Sequence, residues 1–329
     1  MFQRGSLVSI SRIAMAGLML VCLGVVGQAV AQSAPAGMRV ATGQRITPAA
    51  AAGTQVLRLH TDLRSDENAD AANAVTTALS PDGFTLLILT SGSNNSFYKD
   101  DGTPIVYDVL DPTTGLRTGQ TTSSAEWVFV YDVTGPVPVQ KQKINLPVTY
   151  NGLLWDGSGT RFYVSGGSND IVYPFKKTNG TFQLDAPFML LNTGGQLDNT
   201  IAGPAMQSFG LAPWAVVAGL GLSGDASTLY AANFENDSVS AVDTQSRQVT
   251  SRIVFAGPGM GKARGEYPFW IAVRSGSQHR AEKVFVSSQR DGQVVVFDHP
   301  PAFRTIKVGS EPNKMVLSTD GTRLSTNCE

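Results

Sequence analysis

Three histidines, His60, His279 and His299, are the residues of this 329-residue chain best suited to proton transfer or metal ligation. They stand far apart, and none belongs to an H-x-x-x-H spacing that would set two imidazoles side by side. Each is expected on a loop or a strand edge, and no metal site is expected. Asp132, Asp243 and Asp298 close equivalent apolar stretches and could pass for a carboxylate set. Their recurrence from unit to unit points to turn capping instead, because an Asp side chain accepts N–H bonds from the backbone just beyond it. Gly257-Pro258-Gly259-Met260-Gly261 is glycine-rich, but no helical pattern follows whose first turn could hold a phosphate. No G-x-S-x-G elbow, Walker loop or Cys–His pair occurs in a convincing context. Neither a catalytic residue nor a cofactor is expected from these patterns.

Binding is the chemistry that remains. Aligned on a turn that recurs along the chain, Asn151, Phe269 and Asn313 share one level, and Gly152, Trp270 and Lys314 share the next. Around a central channel, Asn, Lys and Trp side chains would make a polar cavity with one stacking surface. Asn151, Phe269, Trp270, Asn313 and Lys314 are therefore the candidate ligand contacts. Three insertions, 92–126, 192–213 and 257–267, lengthen connections, and long loops on a rigid scaffold commonly carry binding. Asn95 and Tyr98, in the first of them, are further candidates.

The elements that would position these residues are repeats. Five segments share an apolar stretch, a tight polar turn and a second apolar stretch, beginning at Asn73, Tyr150, Val216, Phe269 and Asn313. The first apolar residues after the turn are Leu86, Phe162, Leu229, Val284 and Leu324, at intervals of 76, 67, 55 and 40 residues. Uneven spacing excludes a rigid solenoid and fits insertions into a unit of roughly 40 residues. Asn169-Asp170, Asn236-Asp237 and Asp291-Gly292 are hairpin-turn dipeptides, each followed by a strand such as Val294-Val295-Val296-Phe297. The unit is four short antiparallel strands, and one such sheet cannot bury both faces alone, so units must stack. The fold class expected is all-β, a β-propeller of four-stranded blades with four complete units and a stub.

Tyr230 to Asp243 (YAANFENDSVSAVD) closely resembles the YVTN-type β-propeller repeat. AVTTALSPDGFTLLILTSG, GEYPFWIAV, KVFVSSQRDGQVVVFD and VGSEPNKMVLSTDGTRL resemble the N-terminal propeller of secreted bacterial YncE-like proteins, over roughly residues 40–324. That resemblance implies a seven-bladed propeller, joined in some relatives to a phosphoesterase domain of which there is no trace here. The expectation is an incomplete ring: the fifth unit begins at Pro312-Asn313-Lys314 and reaches only Cys328-Glu329. The competing expectation is a genuine small propeller of four or five blades. Thr54 to His60 reads as an extra strand that could help to close the ring. A stub would leave Met315, Val316, Leu317 and Leu324 uncovered and an edge open to self-association.

Charge and targeting bound the partners. The chain is 42% apolar and 16% charged, with 34 Gly, 17 Pro and a net charge of −1, so it lacks the footprint of a nucleic-acid or acidic-membrane binder. Arg4 and Arg12, an apolar run from Ile13 to Val26, and Ala29-Val30-Ala31 read as a signal peptide over 1–31 cleaved after Ala31. A membrane anchor is the weaker reading, because the run is short and broken by glycines. Without 1–31 the chain carries 23 basic and 26 acidic residues and a single cysteine, Cys328, so no internal disulfide can form. Residues 32–53 read as a flexible leader and 54–329 as the propeller. The function expected is a periplasmic or secreted binding or scaffold module for a protein, glycan or small molecule. The alternative is a lactonase-type hydrolase with its site in the channel.

Overall fold

The computed structural model describes residues 38–39, 45–46, 57–65, 70–92, 98–111, 114, 116–122, 126–186, 189–190, 215–255, 267–276, 282–299 and 302–328. The expected signal segment and most of the leader lie outside them, as do Asn95, His279 and nearly all of the second and third insertions. The chain divides into two units. In Met1–Leu57 the described strands are β1 (Met38–Arg39) and β2 (Arg45–Ile46), paired with each other. Arg58–Glu329 holds all the rest. Among the described residues no helix is long and apolar enough to cross a membrane.

Four antiparallel sheets follow the repeat. The first blade is β3 (Ala74–Leu79), β4 (Thr85–Thr90), β7 (Glu126–Asp132) and β8 (Val139–Leu146), with the hairpin β5 (Tyr107–Leu110) and β6 (Arg117–Thr121) inserted. The second is β9 (Leu153–Trp155), β10 (Arg161–Ser165), β11 (Ile171–Thr178) and β12 (Thr181–Leu184), with the short β13 (Met189–Leu190) also on β11. The third is β14 (Val217–Leu222), β15 (Thr228–Asn233), β16 (Ser238–Asp243) and β17 (Val249–Val254). The fourth is β18 (Pro268–Arg274), β19 (Lys283–Ser288), β20 (Gln293–His299) and β21 (Ala302–Lys307). A fifth unit consists of β22 (Pro312–Leu317) and β23 (Leu324–Cys328) alone. The four complete units and the two-stranded unit expected from the repeat are all present.

Each blade buries a face on the next. Leu87, Val128 and Val130 of the first blade pack on Phe162, Val164 and Phe175 of the second. Tyr163 and Val172 continue to Val217, Leu229 and Val242, and Val239 and Phe255 continue to Ile271, Val284 and Val295. Val294 and Val296 close on Met315, only 3% exposed, with Leu324 beside it. Each such side chain contributes about 1.5–3 kcal/mol by leaving water. The expectation that all four apolar residues of the fifth unit lie bare is thus corrected. The fourth blade covers Met315, whereas Val316 stays 68% exposed.

Among the described residues no other blade packs face to face on the other side of the first blade, and the insertion fills that place. Ile105 and Tyr107 cover Trp127, Phe129 and Tyr131, together with Leu59, Leu63 and Ala71 from the segment before the blade. Residues 57–60 therefore form no ring-closing strand. His60 makes one isolated bridge to Asp70, and its Nδ1 lies 2.9 Å from the Asp70 carboxylate.

Candidate functional site

The inner strands β3, β14, β18 and β22 each carry a one-residue bulge near their start, where the strand faces the axis. A bulge breaks the ladder and re-aims the residues on it. The peptide N–H so released at Trp270 donates to Ser287 Oγ at 2.9 Å; in the second blade, just before β9, that of Gly152 donates to Ser165 Oγ at 2.8 Å. Just before four inner strands stand Asn73, Val216, Tyr267 and Glu311, all with positive φ (56°, 47°, 58° and 45°). The preceding blade holds two of them: Asp170 accepts from the Val216 N–H at 2.8 Å and Asp237 from the Tyr267 N–H at 2.9 Å. Asp170 and Asp237 themselves sit at positive φ, as does Gly292 at the equivalent turn of the fourth blade. The Asn-Asp pairs are hairpin turns, as expected, and also link the second blade to the third and the third to the fourth.

At the level of Trp270 and Lys314, one residue of each inner strand reaches the next strand. Thr76 Oγ1 donates to the Asn151 carbonyl at 2.7 Å. Gly152 lies so close that a Cβ there would be 2.5 Å from the Ala218 carbonyl, and at Gly219 it would be 2.5 Å from the Phe269 carbonyl. The Trp270 indole N–H donates to the Met315 carbonyl at 3.1 Å. Lys314 completes the circuit: its ammonium donates to the Val75 carbonyl and, at 2.9 Å, to Thr76 Oγ1, 5.1 Å from the centre of the Trp270 ring. Five inner strands thus form one ring, joined at its seam by a lysine whose pKa burial lowers.

Above this level the mouth is aromatic. Phe234 and Tyr267 stack with centroids 4.8 Å apart and an interplanar angle of 19°. Phe269 meets Phe234 edge-on at 6.0 Å, and Tyr150 meets both Phe234 and Phe269 at 6.1 Å. The four rings come from the second, third and fourth blades. The Arg290 guanidinium lies 3.8 Å from the Tyr267 centroid. Burial, and secondarily the Glu235 carboxylate, raise the pKa of Tyr150.

Sequence alignment by the turn brings Asn151, Phe269, Trp270 and Lys314 to this end of the ring, with Asn313 beside Lys314 on β22. Asn151 contributes its carbonyl, Phe269 a buried ring and Trp270 a half-buried one. Tyr98 stands elsewhere, exposed on the insertion, where it bridges Pro104 and its carbonyl accepts from Arg64. The residues the alignment overlooked are Thr76, Tyr150, Phe234, Tyr267 and Arg290. Tyr150 and Tyr267 share a signal that could have found them, an aromatic one or two residues before an inner strand's first level. Asp132 and Asp243 cap turns as expected, accepting from Thr134 and Ser246. Asp298 pairs with Lys283 across β19 and β20 at 2.5 Å, and the turn it was expected to cap lies outside the described residues. Among the described residues no group of three His, Cys, Asp or Glu stands together as a metal site.

No family profile matches this sequence, and no curated protein does. Solved structures do resemble the fold. A protein from Lactobacillus plantarum aligns with a TM-score of 0.50 and 12% identity over 79% of this chain and 65% of its own. A candidate 6-phosphogluconolactonase from Bacteroides uniformis gives 0.50 and 12% over 79% and 66%. A periplasmic gluconolactonase from Pseudomonas aeruginosa gives 0.45 and 16% over 78% and 66%. The chain spans just under two thirds of the length of these structures. At such identities the likeness is one of fold, the β-propeller.

Proposed function

We propose that this chain is an exported binding module of the YVTN propeller type, taking its ligand at the aromatic mouth rather than catalysing a reaction. The observation that carries this is the convergence of Tyr150, Phe234, Tyr267 and Phe269, from three blades, where the inner strands begin. Aromatic clusters of this kind supply contact area and orientation without reactive groups. Export rests on the signal-peptide pattern of residues 1–31. A second contact, between copies of the chain, is supported by β23, whose outer edge has no strand partner among the described residues, and by exposed Val316.

The test is thermal stabilisation of the purified protein by a panel of short peptides, oligosaccharides and δ-gluconolactone. A ligand of the mouth should raise Tm in the native protein and not in Phe234→Ala, while Tyr98→Ala behaves as native. The alternative, a lactonase-type hydrolase, draws on the candidate 6-phosphogluconolactonase among the solved structures of like fold. Such a site needs clustered acidic and Asn or His ligands, and the ring level offers Thr76, Gly152, Gly219, Trp270 and Lys314. Turnover of the lactone with stoichiometric bound metal would replace the binding reading.

A further inference from the structure

We infer that the aromatic mouth recognises a cation, specifically the guanidinium of an arginine side chain on a peptide partner, and that Arg290 is its internal stand-in. The inference rests on the reading of the mouth as the binding site and gives it a ligand class. An aromatic face attracts cations through its quadrupole, most often guanidinium, within about 6 Å of the centroid. The mouth holds such a pair already, with Arg290 3.8 Å over Tyr267. Phe234 stacks on Tyr267, and Tyr150 and Phe269 wall the cluster, so the rings are fixed before any ligand arrives. Preorganised rings lose little freedom on binding.

Two carboxylates reach these residues, while the Lys314 ammonium, one level down, is bonded to Val75 and Thr76. Glu235 acts on Tyr150 closely enough to raise its pKa, and Asp237 holds the Tyr267 N–H. Asp291 follows Arg290, and Glu311 stands at the fifth unit's equivalent of Tyr267. Arg290 is itself exposed, so it can swing away while buried Phe269 and the half-buried Tyr150, Phe234 and Tyr267 keep their mutual packing. A peptide arginine would then replace it on the same face, and the carboxylates would favour a cationic segment over an acidic one. Arg290 thereby lowers the apparent affinity by the fraction of time it occupies the face.

Three probes decide this: N-acetyl-Gly-Arg-Gly-amide, its citrulline counterpart and its glutamate counterpart, titrated against the full chain by calorimetry. The arginine peptide should bind and the other two should not. Arg290→Ala should tighten binding about two- to fivefold, the worth of one exposed cation–aromatic contact. Tyr267→Leu keeps bulk without the quadrupole and should abolish binding with Tm little changed. Glu235→Gln should weaken it. Equal binding of the citrulline peptide, or no gain in Arg290→Ala, overturns the cationic assignment. If the panel above still finds a Phe234-dependent ligand, the mouth remains the site and only its ligand class falls. If no panel member and no peptide depends on Phe234, both readings fall.

Discussion

A single serine–aspartate exchange recurs at the turn between the first two strands of the blades. Ser80 Oγ donates to Asp82 at 2.5 Å, Ser223 to Asp225 at 2.6 Å and Ser318 to Asp320 at 2.6 Å. Each serine hydroxyl also accepts the N–H that opens the next strand, at Thr85, Thr228 and Arg323. In the second blade the partners are permuted: Asp156 receives the Arg161 N–H and Ser158 donates to Asp156. The geometry needs one acceptor at each site and not a fixed order, so Asp156→Ser with Ser158→Asp should leave Tm nearly unchanged. Ser223→Ala removes both bonds of a buried hydroxyl and should cost about 1 kcal/mol in denaturant unfolding. The serine bonds, with the backbone N–H behind them, hold Asp225 and Asp320 at about 2. The unfolded carboxyls take up protons first as the pH falls below about 4, so this stabilisation is complete above that value and lost on the way down to about 2. Asp225→Asn with Asp320→Asn should flatten Tm over that window relative to the native protein. The turn was legible because Ser-x-Asp, followed by Gly83, Ala226 or Gly321 at positive φ, is a local code. The carboxylates of Asp170 and Asp237 were not, because their partners, Val216 and Tyr267, lie 46 and 30 residues further on.

At the scale of the strand, the blade was readable and its surroundings were not. Turn, apolar stretch and Asn-Asp dipeptide all act within some twenty residues, and the four sheets follow them. What the insertion does depends on a neighbour: its Ile105 and Tyr107 stand where a further blade would otherwise cover Trp127, Phe129 and Tyr131. A sequence rich in Asn, Gly and Thr reads as a binding loop, whereas two apolar residues inside it suffice to make it a cover. The inner strands show the same limit. Gly219 reads as an ordinary weak point of a strand, yet it lets β14 approach the backbone of Phe269 and Trp270. Gly219→Ala should push the third and fourth blades apart at the mouth and cost about 1–3 kcal/mol, measured by chemical denaturation. Ala218→Gly, one residue away and without that approach, is the control and should cost less.

Across the whole molecule, the ring is held unequally. Four of its contacts are broad apolar faces between consecutive units, and the fifth is Lys314 bonded to Val75 and Thr76. Lys314→Met keeps the stem over Trp270 but loses the donors, and should lower stability by about 1–2 kcal/mol. Lys314→Arg, which retains them, should recover part of the loss. The alignment marked Lys314 as a channel residue; that it reaches the first blade was invisible, because 239 residues separate it from Val75.

That separation orders events in time. Blades form from pairings a few residues apart, while the lysine bond must wait for every blade between its ends, since closing so long a loop is repaid only once the rest is in place. The same seam should be first to part, releasing the fifth unit while the second and third blades stay whole. Native-state hydrogen exchange would register this as a common, low opening energy for the amides of β22 and β23, distinct from that of β15 and β16, and in Lys314→Met the gap between the two groups should widen.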